Sequence, residues 1–154
     1  MGPGGRDADR RLTKKGREDI LAGAHWMAAQ ELEFDLIATS PLARAQETAA
    51  IVSGVLGTQA GPATWDILVP GGEPDRVLHE IGRYESSSAI LLVSHEPLLS
   101  SLISRIITGD TDAGIVMTKG GLAKIRNFSF TGRPSGELHW LLTGKQLAFP
   151  DSRR

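Results

Sequence analysis

Two short segments carry side chains that could grip an anion: Ser40-Pro41-Leu42-Ala43-Arg44-Ala45 and Ser94-His95-Glu96-Pro97. Arginine presents a planar fork of donors that can hold two oxygens of a phosphate or carboxylate at once. A histidine beside it can donate to the same group and stabilise charge that builds there. The surroundings of Arg44 and His95 are alike. Each segment follows a β-rich apolar stretch, Phe34 to Thr39 in one case and Ala89 to Val93 in the other, and each contains a small polar residue and a proline. Proline is accepted in a first helical turn, where its missing N–H would be unpaired in any case. Both segments therefore read as strand-to-helix turns. In one parallel sheet they would share its carboxyl edge, where open α/β sheets bind ligands and helix N-termini attract negative charge.

The elements that position these turns follow from the spacing of apolar and turn-forming residues. Residues 1–10 are Gly, Pro and charge and read as a loop. Thr13 is placed to cap a helix with Leu21, Ala24, Ala28 and Leu32 along one face. Ser40 is placed to cap a second helix, from Pro41 to about Leu56, that buries Ala45, Ala49, Val52 and Leu56. A short run at Trp65 to Val69, the turn Pro70-Gly71-Gly72-Glu73-Pro74 and a helix burying Val77, Leu78 and Ile81 come next. Ala89-Ile90-Leu91-Leu92-Val93 is continuously apolar, the mark of a strand covered on both faces, and is the candidate central strand. A helix from Pro97 to about Ile107 follows it. Gly121 to Phe130 and Glu137 to Leu142 alternate around a Gly- and Pro-containing turn, which predicts an antiparallel hairpin on the sheet edge. The fold class is α/β: a mostly parallel central sheet with helices on both faces, three α/β/α layers in all.

With 154 residues the chain reads as one domain, 1–154. Lys plus Arg (17) nearly balance Asp plus Glu (18), so neither nucleic acid nor a membrane surface is the expected partner. The absence of cysteine excludes disulfides, thiol nucleophiles and thiolate metal sites. There is no apolar stretch of membrane-spanning length and no signal core in the first ten residues, so the expected compartment is the cytoplasm. His25, His79 and His139 lack metal-ligand spacing, and no nucleotide-binding glycine motif is present; no metal and no cofactor is expected.

Ser40 to Ala49 (Ser-Pro-Leu-Ala-Arg-Ala-Gln-Glu-Thr-Ala) and Ser94 to Pro97 resemble the histidine phosphatase superfamily, of phosphoglycerate mutase-like fold. The likeness is greatest to its small SixA-like phosphohistidine phosphatase branch. Leu12-Thr13-Lys14-Lys15-Gly16, the turn at 70–74 and the strand at 137–142 extend it over about residues 9 to 147. The resemblance implies a metal-independent phosphatase acting on a phosphorylated protein, as phosphohistidine, or on a small phosphorylated metabolite. Arg44 would hold the phosphate in a bidentate grip, and His95 would be the second histidine of the pocket, donating to the phosphoryl group. Glu73 would be either the general acid or simply a helix-initiating carboxylate. The family's nucleophile is another histidine, in an Arg-His-Gly or Arg-His-Ala motif ending the first strand, which forms a phosphohistidine that water cleaves.

That motif is not in the sequence. None of the four histidines (25, 79, 95 and 139) follows an arginine, and no two consecutive apolar residues precede Leu12. Two readings remain open. In one, Met1 is internal to a longer protein whose first strand and Arg-His pair lie upstream; in the other, the chain is a non-catalytic phosphate- or phosphoprotein-binding relative. Magnitudes favour the first. A lost central strand removes about four buried apolar side chains at roughly 1.5 to 3 kcal/mol each, against a whole-domain stability of about 5 to 15 kcal/mol.

Overall fold

The computed structural model describes residues 7–85 and 88–148. Thr13 opens α1 (Lys14–Ala29) as expected, its side chain accepting a hydrogen bond from the Gly16 amide at 3.0 Å. The chain then runs β1 (Leu36–Thr39), α2 (Ala43–Leu56), β2 (Ala63–Thr64), a single 3-10 turn (Asp66–Leu68), α3 (Pro74–Ile81), β3 (Ile90–Val93) and α4 (Leu98–Thr108). It ends in a hairpin, β4 (Leu122–Ser129) and β5 (Ser135–Leu142), and a short α5 (Gly144–Ala148). Glycines in the left-handed conformation stop α2 at Gly57 (φ 70°) and α4 at Gly109 (φ 89°), where a β-carbon would be strained.

Three strands form a parallel sheet in the order β2-β1-β3, with Leu36 opposite Ile90 and Thr39 opposite Val93. Successive side chains alternate between two cores, as the pleat requires. Leu36, Ala38 and Leu92 join Leu68, Val77, Leu78, Leu98, Leu102 and Ile106 on the side of α3 and α4. Ile37, Leu91 and Val93 join Ala24, Met27, Ala49 and Val52 on the side of α1 and α2. Helices thus cover both faces, and the α/β class expected from the sequence holds.

Several expectations shift in detail. Among the described residues β1 is the central strand and β3 an edge of the sheet. The apolar run of β3 does report burial on two faces, but face burial says nothing about how many neighbours a strand pairs with. The hairpin is a separate two-stranded sheet and makes no ladder with β3. Its side chains nevertheless flank both cores: Leu122 packs on the α1/α2 side, Ile125 and Phe128 on the α3/α4 side. On α1 the buried stripe is Ala24 and Met27 with Ile20 beside them, whereas Leu21 is 43% exposed and Ala28 is exposed. Both stripes have helical spacing, and the one with the longer side chains buries more apolar area. The two prolines stand before their helices: α2 begins at Ala43, two residues past Pro41, and Pro97 is the N-cap of α4. Within the segment read as a loop at 1–10, Asp7–Asp9 form a 3-10 turn, and residues 1–6 lie outside the described part.

The turn at 70–74 is fixed by a close backbone approach. A β-carbon on Gly72 would lie 2.3 Å from the Ile67 carbonyl oxygen and 3.0 Å from that of Val69. Gly72→Ala should therefore destabilise the fold by about 1 to 3 kcal/mol, the usual cost of forcing atoms into a packed site. Chemical denaturation should show this as a lower midpoint at unchanged slope, and a wild-type midpoint would contradict the close approach.

Candidate anion site at the carboxyl edge of the sheet

The register that pairs Thr39 with Val93 brings the two strand-to-helix turns side by side. Ser40 extends the pairing, its amide donating to the Val93 carbonyl at 2.9 Å. Its side chain is wholly buried, accepts from the Leu42 amide at 3.1 Å and lies 2.8 Å from Nε2 of His95. Ser40, expected to cap α2, stands two residues before the actual N-cap, Leu42, because the helix starts only at Ala43; its side chain is instead the link between the turns.

Arg44 sits in the first turn of α2, half-buried, two residues beyond the Leu42 amide that Ser40 binds. That turn is pinned from both sides. Gln46 Nε2 donates to the Ser40 carbonyl and to Thr64 Oγ1, both at 2.9 Å, tying α2 to β2. Glu47, three residues after Arg44 and half-buried, accepts the Leu12 amide at 2.8 Å through Oε1. Arg11 and Arg17 approach the same carboxylate at 3.5 and 3.7 Å, and Arg17 also donates to the Leu12 carbonyl at 2.9 Å. The entry to α1 is thereby clamped onto the helix that carries Arg44.

His95 is half-buried at the other turn, its carbonyl accepting from the Leu99 amide at 2.9 Å. Ser94 Oγ donates to the Leu68 carbonyl at 2.6 Å, which fastens the end of β3 to the segment before the 70–74 turn. Glu96 folds back so that Oε2 accepts the Ser100 amide at 2.8 Å, capping the start of α4. Glu73 is exposed at the N-cap of α3, and its carboxylate makes no hydrogen bond or ion pair among the described residues. The neighbouring Gly72 lies against Leu98, so this turn borders the first turn of α4.

The remaining histidines stay apart. His25 on α1, His79 on α3 and His139 on β5 are all exposed, and His139 Nε2 pairs with Glu137 at 3.2 Å. The Asn127 amide, and after it His139, hold the Glu137 carboxyl below its ordinary range. Among the described residues no three His, Asp or Glu side chains gather as a metal ion would need. Of the sequence candidates, then, the structure sets the turn bearing Arg44 beside His95 and places Glu73 on a neighbouring turn. Three residues were not foreseen in their roles: Ser40 as the bridge, Gln46 and Glu47 as the pins of α2. The sequence signal for the last two is a pair of polar residues directly following Arg44-Ala45, and nothing local distinguishes them from solvated helix residues.

Comparison with known proteins bears on the family and the fold. Residues 2–67 match the family described as histidine phosphatase superfamily (branch 1). An uncharacterized protein of Picosynechococcus sp. (strain ATCC 27264 / PCC 7002 / PR-6) is 32% identical over 124 residues, 79% of this chain and 74% of that protein. The phosphohistidine phosphatase SixA of Escherichia coli (strain K12) is 27% identical over 107 residues, 68% of this chain and 66% of that protein. A solved structure of the protein histidine phosphatase SixA complexed with tungstate superposes with a TM-score of 0.82 at 24% identity, covering 93% of this chain and 90% of that one.

The Glu47 clamp has a measurable consequence. Glu47→Ala leaves the Leu12 amide without its acceptor and should lower stability by about 1 to 3 kcal/mol. Glu47→Gln keeps an acceptor oxygen and should lose less, because the arginines it pairs with are largely exposed and such pairs contribute little. Equal loss in both variants, read from denaturation midpoints, would show that charge and not the Leu12 hydrogen bond holds the clamp.

Proposed function

The chain belongs to the histidine phosphatase superfamily, and from that premise we propose that it forms the phosphate grip of a metal-independent phosphohistidine phosphatase. The observation that carries this reading is the 2.8 Å contact between Ser40 and His95, which joins the turn bearing Arg44 to the turn bearing the histidine. Arg44 holds two phosphoryl oxygens through its guanidinium fork. His95 donates to the phosphoryl group as charge develops on it. No acidic residue stands in the first turn of α2 and no side chain caps it, so its positive dipole end adds to the attraction for an anion. Protein phosphohistidine is the substrate favoured by the likeness to the SixA enzyme, with a small phosphorylated metabolite as its competitor. The setting is the cytoplasm, with neither nucleic acid nor membrane as partner; no helix among the described residues is long and apolar enough to cross a membrane.

The chemistry this reading requires is in-line displacement at phosphorus. An unprotonated imidazole nitrogen attacks, the P–N bond to the substrate imidazole breaks, and the leaving imidazole departs protonated. Water then cleaves the phosphohistidine, releasing phosphate and restoring the histidine. For a phosphoester the leaving oxygen needs a proton, and Glu73 is the candidate donor. The attacking histidine would end a strand lying along the edge of β3 that, among the described residues, has no partner. Support for that placement comes from the hairpin, which flanks both cores yet does not pair with β3. A second reading, phosphate binding without turnover, rests on the absence of any Arg-His pair from the sequence.

Phosphate release from a phosphohistidine peptide separates the two. It should be measured on this chain and on a version extended at its amino terminus by an apolar strand ending in Arg-His-Gly. Turnover is expected in the extended protein, and Arg44→Ala and His95→Ala within it should each reduce the rate by roughly 10² to 10³ while the protein still folds cooperatively. Undiminished rates in either variant would remove that residue from the site, and an extended protein that binds phosphate without turnover would establish the second reading.

A further inference from the structure

We propose that Ser40 is a positioning residue that fixes His95 as the neutral tautomer protonated on Nδ1, so that Nδ1–H is the donor offered to a phosphoryl oxygen. The inference deepens the reading of the site given above and rests on it for the identity of the ligand. The tautomer itself follows from counting protons and lone pairs around one buried hydroxyl.

A serine hydroxyl has one proton to donate and two lone pairs to accept with. The Leu42 amide occupies one lone pair of Ser40 Oγ at 3.1 Å, and Nε2 of His95 stands 2.8 Å away. Oγ has no other hydrogen-bond partner among the described residues, and the residue is wholly buried. If Nε2 carried the ring proton it would donate to Oγ, and the hydroxyl proton would be left buried without an acceptor. If Nε2 is bare, the hydroxyl donates to it and every group around Oγ is satisfied. An orphaned buried donor disfavours the first arrangement by about 5- to 150-fold. With Nε2 accepting, the proton of a neutral imidazole is on Nδ1, the nitrogen not engaged by Ser40.

Ser40 is held too firmly to turn away from this task. Its amide donates to Val93, and its carbonyl accepts from Gln46 Nε2 at 2.9 Å and from Thr39 Oγ1 at 3.2 Å. His95 is fixed by its own backbone at the start of α4, through the Leu99 amide. The ring is therefore oriented from both ends before any ligand arrives, which is the preorganisation that a charge-stabilising donor needs. Division of labour follows: Arg44 supplies the positive charge, and His95 supplies a directed hydrogen bond without having to be charged.

The test is a long-range proton-nitrogen NMR correlation on the intact chain with ¹⁵N-labelled histidine, recorded where the ring is neutral and assigned through His95→Gln. The expected pattern for His95 is a protonated Nδ1 and a bare Nε2, and a protonated Nε2 in the wild-type protein overturns the proposal without reference to any variant. Ser40→Ala should move the ring toward the opposite tautomer, while Ser40→Thr, which keeps the hydroxyl, should retain the wild-type pattern. Inorganic phosphate should bind Ser40→Ala a few-fold more weakly, in proportion to the lost fraction of competent tautomer. A wild-type protein with Nδ1 protonated that fails to bind phosphate would sustain the role of Ser40 and sink the phosphatase reading, so the two fail separately.

Discussion

The parallel register between β1 and β3 is the constraint on which the site depends. Strands this short could slip, and a slip of one residue exchanges the faces of every side chain. A slip of β3 against β1 would turn Leu91 and Val93 out of the α1/α2 core and Leu92 out of the α3/α4 core. Moving buried aliphatic side chains into contact with the wrong helices costs on the order of a kcal/mol or more each. Apolar patterning thus locks Thr39 opposite Val93, and with it Ser40 within reach of His95, although the two lie 55 residues apart. Fold and site are coupled at this one register.

Similar as the two turns are in sequence, the structure gives them different work. At the start of α4 the side chain of Glu96 takes the Ser100 amide, so the dipole there is already answered by a carboxylate. At the start of α2 no acidic residue intervenes, and Arg44 stands in the same turn. On the reading proposed above, the turn before α4 carries the ring and the turn before α2 carries the group that would hold an anion. Gln46 and Glu47 then transmit the rigidity of β2 and of the α1 entry to the helix carrying the arginine. A guanidinium on such a helix loses less freedom on binding than one on a loop.

Much of this was legible in the chain. Thr13 as a cap, the buried residues Val77 and Leu78, and the hairpin around residues 130 to 135 follow from local rules that tertiary packing did not override. Arg44 and His95 stand out as candidates because each sits at an apolar-to-helical boundary inside a segment that resembles the family's pattern. Three things were not legible. Which of two helical stripes α1 buries depends on side-chain size summed over the interface, not on spacing. The rank of β3 in the sheet depends on pairing, which face burial does not encode. The partnership of Ser40 with His95 is a contact across the sheet, and a serine that caps its own turn gives no local sign that its remaining proton is committed elsewhere.

The split in the sheet bears on stability and chemistry together. An apolar strand with an unpaired edge exposes ladder groups that natural folds cover, charge or shorten. Among the described residues β3 has an apolar edge of this kind, while Leu122 of the hairpin packs on one core and Ile125 and Phe128 on the other. A strand laid along β3 would satisfy those backbone groups. In a parallel sheet its carboxyl end would emerge beside Ser94 and His95, at the edge where Arg44 waits. On the reading proposed above, the unpaired edge of β3 is therefore also the edge from which a nucleophile would face the phosphate.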